Sequence, residues 1–332
     1  MEPSPGLDRP GGLPRGPHPT LGPETRVLPR WPGPVLITIG LIFALGSLGA
    51  AAAVASGDLE MDRSLLLPMA VAGGLALGAG LVYSAVRQIR IRRALPPERY
   101  RGPGVVVLLA LVLLIATVLV APFGADADIL IGGDGEMSLA GAIVLLVSTP
   151  IALLLVSWLF VGRPNALAAL PAFPGRDAQR ALMIGLGWGV VAWVGSTILL
   201  AAAAWILEQI GEAPQPEAAE RAIAMLDPWL TVIAIVILAP IAEEVFFRGV
   251  VFNAWLREGG RRYAYIGSAA LFAVIHLSPV SLVPIFALGL ALAWVYERTG
   301  SLLAPMAMHA TVNGISVALA LLVRYDIVRL PV

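Results

Sequence analysis

Long apolar runs recur along most of this chain, and they constrain its possible folds more than any other feature. At about 20 residues each, six of them can cross the roughly 30 Å hydrocarbon core of a bilayer. Three more are shorter or less clearly separated. In chain order the nine runs cover residues 35–56, 64–86, 104–123, 138–161, 181–206, 229–252, 265–279, 283–297 and 302–323. We therefore predict an all-α polytopic membrane protein with eight or nine transmembrane helices.

The composition supports the same fold class and excludes several functions. The 332 residues are 58% hydrophobic and 13% charged, which is too apolar for a soluble domain. Cysteine is absent, so disulfides, thiolate metal sites and cysteine nucleophiles are excluded. Lysine is also absent, which excludes a Schiff base, a Ser-Lys dyad and a P-loop lysine. The formal net charge is zero, so no overall field attracts nucleic acid, and we predict no such partner.

The N-terminal part of the chain divides into a tail and a membrane region. Residues 1–34 contain ten prolines and six glycines without an apolar period, which predicts a disordered cytoplasmic tail. Residues 35–165 hold the first four runs, where polar residues are almost confined to Ser and Thr and small residues favour close helix packing. We predict a four-helix membrane region there, and nothing in it indicates chemistry.

The loops between the first six runs alternate in charge, which predicts their orientation. Arginines concentrate after the second, fourth and sixth runs, at residues 87–101, 163–180 and 257–262. The intervening loops are acidic instead. Because arginines in short loops mark the cytoplasmic side, we predict a multi-pass protein with a cytoplasmic N-terminus. The lack of lysine and the abundance of Ala, Gly and Pro indicate a GC-rich bacterial genome, and hence the bacterial cytoplasmic membrane and its lipid bilayer as surroundings.

Three ionisable residues interrupt the sixth apolar run, where each costs from a few kcal/mol to roughly 10 or more. Glu244 and Arg248 are four residues apart, so they share a helix face and can pair. Glu243 lies about 100° further round the helix and lacks that partner. We therefore expect one carboxylate to be structural and its neighbour to face a cavity.

Two of the three histidines lie in the last third of the chain, inside apolar runs. His309 and Asn313 share a face at four-residue spacing, and His276 shares one with Phe272. At about 1.5 Å per residue, Glu243 lies roughly 12 to 15 Å, His309 about 10 to 12 Å and His276 about 15 to 18 Å inside their helices. Three helices can thus bring these polar groups together in a cavity open to the cytoplasm.

These groups suit the activation of water. A carboxylate in a partly dry cavity can take a proton from water and return it, and imidazole and amide groups can donate hydrogen bonds to an oxyanion. Hydrolysis of an amide bond is the reaction that these carboxylate, imidazole and amide groups fit. A divalent metal such as zinc is also a candidate, held by Glu243, His276 and His309, although no His-Glu-x-x-His motif places ligands on one helix. The sequence leaves the metal open.

Three motifs carry a resemblance to a known family. They are Glu243-Glu244-Val-Phe-Phe-Arg248, Phe272-Ala-Val-Ile-His276 and His309-Ala-Thr-Val-Asn313. In this order, on separate membrane helices, they resemble the intramembrane CAAX-protease and bacteriocin-processing (Abi) family, which is related to the type II CAAX prenyl endopeptidases. The resemblance covers about residues 181–323 and implies a protease domain there, with a conical or bundled catalytic core.

The resemblance also implies roles for the motif residues. Glu243 would activate water with assistance from His276, while His309 and Asn313 would stabilise the oxyanion. Support of the site is implied for Glu244 and Arg248. The family has been described both as metal-dependent and as glutamate-type, and its motifs do not distinguish the two.

We therefore predict an intramembrane endopeptidase that hydrolyses a peptide bond in a membrane-embedded or membrane-anchored protein or peptide, from the cytoplasmic side. Two other classes remain open at this stage. One is a proton-coupled transporter, in which Glu243, His276 and His309 form a proton relay. The other is a non-catalytic membrane immunity or scaffold protein that keeps the motifs for packing. The resemblance does not imply a particular substrate.

Overall fold

The computed structural model describes residues 28–56, 65–96, 99–124, 138–163, 177–209, 223, 226–276 and 278–328. All regular secondary structure among these residues is helical, without strands. Of the predicted disordered tail, residues 1–34, the first 27 residues lie outside the described residues. The helix α1 begins at Pro32. The division of the chain into a tail, an N-terminal region and a protease domain stays a prediction.

The nine predicted apolar runs correspond to nine described helices. In chain order these are α1 Pro32–Ser56, α2 Leu66–Arg92, α3 Val105–Gly124, α4 Leu139–Gly162, α5 Ala178–Gln209, α6 Pro228–Gly259, α7 Arg261–Val274, α8 Leu282–Thr299 and α9 Leu303–Arg324. By length and composition, six described helices can cross a membrane: α2, α4, α5, α6, α8 and α9. The all-α polytopic membrane fold is confirmed, while the total of eight or nine spans stays a prediction.

The helix α7 is shorter than the sequence predicts. It ends at Val274, and His276 lies in the turn beyond it, whereas the predicted run extended to residue 279. The expectation that His276 lies deep inside a membrane helix is therefore wrong. The physical reason is visible in the sequence, because Pro279 disfavours the helical conformation of Ser278 and cannot donate a backbone hydrogen bond.

The first two helices pack as a close pair through their glycines. A Cβ atom added at Gly73 would lie 2.7 Å from the backbone nitrogen of Ala44, and one at Gly80 would lie 2.7 Å from that of Ile37. Such contacts require that both positions lack a side chain. The next two helices join this pair to the C-terminal part, because Leu108 of α3 and Leu153 of α4 belong to the same buried core as Phe246 of α6.

The C-terminal helices pack around α6 and α9. The helix α5 lies against α9, where a Cβ atom at Gly189 would lie 2.9 Å from the carbonyl oxygen of Met308. This close approach occurs one residue before His309. The α5 helix therefore sets the position of the helix that carries the second half of the candidate site.

Candidate functional site

The helix α6 changes its hydrogen-bonding pattern twice around the two glutamates. A single α-helical stretch, Ala239–Glu244, lies between the π-helical segments Val232–Leu238 and Val245–Phe252. π-helical turns are rare and occur frequently at functional sites. The sequence predicted a regular helix here, so the two π-helical segments are a feature that it missed.

Proline explains part of the first π-helical segment. The backbone N–H of Ala239 bonds to the carbonyl of Ala234, five residues earlier. In this pattern Ile235 would receive its bond from residue 240, but Pro240 has no N–H to donate. The side-chain Nδ2 of Asn313 donates to the Ile235 carbonyl instead, at 2.9 Å. Asn313 thus fastens α9 to α6 at the point where the proline leaves an acceptor.

Glu244 and Arg248 form a fully buried ion pair. Arg248 Nη1 donates to Glu244 Oε1 at 2.9 Å, and neither side chain is exposed. The guanidinium also donates from Nη2 to the Gly289 carbonyl of α8 at 3.0 Å and lies 4.6 Å from the centre of the Phe272 ring. The predicted pairing is confirmed. A buried charge without such partners would be strongly destabilising.

His309 contacts the same carboxylate. Its Nδ1 atom lies 3.1 Å from Glu244 Oε1, and the residue is 4% exposed. An ionised carboxylate only accepts hydrogen bonds, so Nδ1 carries a proton in this contact. The Glu244–Arg248 pair therefore fixes the orientation of the imidazole ring and directs its Nε2 atom elsewhere.

That other nitrogen faces Glu243. The distance from His309 Nε2 to Glu243 Oε2 is 3.9 Å, which is longer than a hydrogen bond. Oε2 is buried and has no hydrogen-bond partner among the described residues. The Glu243 side chain nevertheless keeps 17% of its surface exposed, whereas Glu244 keeps none. Each carboxylate keeps one buried oxygen without a hydrogen-bond partner among the described residues, so the two differ in that Glu244 is held by Arg248 and Glu243 is partly exposed.

His276 lies at the edge of this network. It is exposed, and its Nδ1 atom donates to the Phe272 carbonyl at 2.6 Å. Its ring meets the Phe272 ring edge-on at 4.9 Å, and the same phenyl ring contacts His309 at 5.7 Å. The two histidines are therefore linked through Phe272. No direct contact joins His276 to Glu243 among the described residues.

The arrangement does not assemble the three metal ligands suggested by the sequence. Among the described residues, no group of three His, Asp or Glu side chains is placed to hold a metal ion. Glu243 and His309 face each other, but His276 makes no hydrogen bond or ion pair with either of them among the described residues and contacts Phe272 instead. Zinc in proteins takes three or four such ligands. A metal held by Glu243, His276 and His309 stays a prediction.

Comparison with known proteins agrees with the motifs. Residues 225–315, which contain all three motifs, match the family model described as "Type II CAAX prenyl endopeptidase Rce1-like". A stretch of 84 residues is 30% identical to the Bacillus subtilis (strain 168) protein named "Putative membrane peptidase YdiL", covering 25% of this chain and 34% of that relative. The match thus spans about a third of the relative's length. No solved structure matches the chain.

Proposed function

We propose that this protein is an intramembrane endopeptidase, because residues 225–315 match the model of the Rce1-like, type II CAAX prenyl endopeptidase family. Its substrate is a membrane-embedded or membrane-anchored protein or peptide, cleaved from the cytoplasmic side. One observation carries the proposal beyond the resemblance: a buried, unpartnered oxygen of Glu243 lies 3.9 Å from His309 Nε2, in a segment where ionisable groups are costly.

This gap suits one water molecule. Hydrogen bonds of about 2.8 Å can reach a single water oxygen from both Glu243 Oε2 and His309 Nε2. Glu243 then takes a proton from the water while the water oxygen bonds to the carbonyl carbon of the substrate. The carbonyl electron pair moves onto its oxygen. Glu243 returns the proton to the amide nitrogen as the C–N bond breaks, which leaves a new carboxyl group and a new amino terminus.

His309 stabilises the charge that develops on the carbonyl oxygen. When both of its nitrogens are protonated, the four groups Glu243, Glu244, Arg248 and His309 carry no net charge. In that form Nδ1 donates to Glu244, and Nε2 donates first to the water oxygen and then, once that oxygen has bonded to the carbonyl carbon, to the oxyanion. Asn313 uses one amide N–H on Ile235, and its second N–H is available to the same oxyanion.

His276 assists from its position against Phe272. Its Nδ1 proton is committed to a backbone carbonyl, so its Nε2 atom is free to accept a proton. The ring is exposed and adjoins the phenyl ring that His309 also contacts. A substrate that fills the space beside Phe272 would bring His276 and Glu243 to the same scissile bond.

A proton relay is the second candidate, and one feature favours it. Glu243, His309 and Glu244 are proton-exchanging groups that lie in succession, 3.9 Å and 3.1 Å apart, and one water molecule in the longer gap would complete a line between them. Such a line can also conduct protons. A relay would tolerate Glu243→Asp in part, whereas a hydrolytic base displaced by about 1 Å would lose much of its rate.

Comparing new peptide N-termini in membranes of cells that carry the wild-type protein or Glu243→Gln tests the proposal. Glu208→Gln is the matched control, because Glu208 is exposed on α5 and away from the site. We expect a set of N-termini in wild-type and control membranes that is missing from the Glu243→Gln membranes. Identical sets, with all three proteins present at equal levels, would contradict a peptidase and direct attention to proton flux.

A further inference from the structure

The second π-helical segment of α6 ends with an unusual hydrogen-bond arrangement around Asn253. The side-chain Nδ2 atom of Asn253 donates to three acceptors: the carbonyls of Arg248 at 2.7 Å and of Gly249 at 3.1 Å, and the hydroxyl of Tyr296 at 2.7 Å. An amide group has two N–H bonds, so one of them is shared. The first two acceptors belong to the segment that carries Arg248.

The backbone N–H that a π-helical pattern would direct to the Arg248 carbonyl bonds elsewhere. In a π-helical pattern the Arg248 carbonyl would receive the N–H of residue 253, five residues later. That N–H instead bonds to the Val250 carbonyl, three residues back. Arg248 and Gly249 are both buried, and buried carbonyls are normally paired. The Asn253 side chain therefore gives the Arg248 carbonyl the hydrogen bond that its own backbone N–H does not make, and it also donates to the Gly249 carbonyl.

The same side chain joins the segment to α8 at a second point. Arg248 already reaches the Gly289 carbonyl of α8 through its guanidinium. Asn253 reaches Tyr296, seven residues further along α8 and about 10 Å away. The backbone and the guanidinium of Arg248 are thus both tied to the same neighbouring helix, which restricts where the guanidinium can lie.

We propose that Asn253 is a positioning residue for the candidate site. By holding the carbonyl of Arg248, it sets the rotation of the π-helical segment and so the place where Arg248 meets Glu244. Glu244 in turn holds Nδ1 of His309. Asn253 touches neither Glu243 nor His309 and acts only through Arg248. Its expected effect on cleavage rests on the proposed function, but its effect on the orientation of His309 does not.

The proposal requires two N–H donors on the side chain at position 253. The variants therefore remove these donors, move them or remove one of their acceptors. Asn253→Leu has nearly the same size and no donors, whereas Asn253→Gln keeps both donors on a longer side chain. Tyr296→Phe removes only the acceptor on α8. Tyr263→Phe is the control, because Tyr263 is exposed and makes no contact with Asn253 among the described residues.

Two readouts on the full-length protein in lipid vesicles test the proposal. The first is the ¹⁵N spectrum of histidine-labelled protein, which is simple because the chain has three histidines. The second is kcat and KM for a membrane peptide found by the N-terminus comparison. We expect Asn253→Leu to shift the His309 Nδ1 signal and to lower kcat about 10- to 100-fold with KM unchanged, Asn253→Gln to restore much of both, and Tyr296→Phe to have a smaller effect.

An unchanged His309 signal in folded Asn253→Leu protein would overturn the proposal, whether or not any peptide is cleaved. A fall in kcat, KM and melting temperature together, without rescue by Asn253→Gln, would also overturn it and indicate a general packing role. If Asn253→Leu does not fold, the Tyr296→Phe spectrum decides, because this variant removes the link from Asn253 to α8: a shifted His309 signal supports the proposal and an unchanged one overturns it. If the signal shifts as expected but no variant cleaves peptide, the positioning role holds and the proposed peptidase function fails.

Discussion

The α1–α2 pair and the α6–α9 pair both pack closely, but through different kinds of residue. In α1–α2 the helices approach through glycines, and no charged residue lies between them until the arginines near the end of α2. In α6–α9 the contact contains a buried ion pair, an imidazole and an asparagine. Glycine contacts require only space, whereas buried charges require each other. The contact that contains buried charges, which are costly to bury, lies where the three motifs meet.

Breaking the ion pair should have the largest effect on stability. Arg248→Met leaves the Glu244 carboxylate buried without its partner, and we expect the free energy of unfolding to fall by about 3 to 5 kcal/mol. Unfolding in mixed micelles measures this change. The double variant Glu244→Gln/Arg248→Met should recover more than half of the loss, because no uncompensated charge remains. Equal losses in the single and double variants would contradict the account.

A packing change beside the site should affect both stability and activity. Gly189→Leu would push α5 away from Met308 of α9, so we expect a loss of about 1 to 3 kcal/mol in stability and a fall in cleavage rate of about 10- to 100-fold. The control is Gly187→Leu, because a side chain at Gly187 meets open space. Cleavage at the wild-type rate by folded Gly189→Leu protein would show that α5 does not position His309.

The same change in the N-terminal pair should affect stability alone. Gly73→Leu would clash with the backbone of α1, and we expect a similar loss of about 1 to 3 kcal/mol in unfolding free energy. The cleavage rate of the folded protein should not change, because no candidate site residue lies in this pair. Gly74→Leu is the matched control, with open space around the neighbouring glycine. A reduced kcat for Gly73→Leu would instead mean that the packing of α1 against α2 affects the candidate site.

The two regions also meet at their ends through a surface ion pair, where the smallest effect is expected. Arg92 Nη1 of α2 lies 3.0 Å from Glu258 Oε1 of α6, and the side chains are 27% and 35% exposed. Exposed pairs contribute about 0.2 to 1 kcal/mol. Glu258→Gln should lower the unfolding free energy by no more than this, with the exposed Glu208→Gln as control, whereas Arg92 also donates to the Gly102 carbonyl and is less suited to the test. A larger loss would mean that this contact holds the regions together.

Much of the fold follows from the sequence because its signals are local. The length of each apolar run predicts each helix, and the four-residue spacing of Glu244 and Arg248 predicts their pairing. The end of α7 was also encoded, in Pro279, but the apolar character of the run around His276 outweighed it in the prediction.

The parts of the site that the sequence did not reveal depend on contacts between helices. The contact of His309 Nδ1 with Glu244 joins residues 65 positions apart, and no spacing rule predicts it. The two π-helical segments likewise depend on hydrogen bonds from side chains outside them. The Asn313 amide of α9 donates to the first segment, and the Asn253 amide, directly after the second segment, donates to the second. Pro240 inside an apolar run was the available signal that α6 would depart from a regular helix.

The most direct test of the central claim is the cleavage rate of a membrane-anchored peptide by purified protein in lipid vesicles, comparing the wild type with Glu243→Gln. The account predicts that the substitution lowers kcat by about 10²- to 10⁴-fold, as expected for loss of a general base, and leaves the unfolding free energy unchanged because Glu243 makes no ion pair closer than 3.9 Å. Equal cleavage rates for the two proteins would contradict the claim that Glu243 activates water.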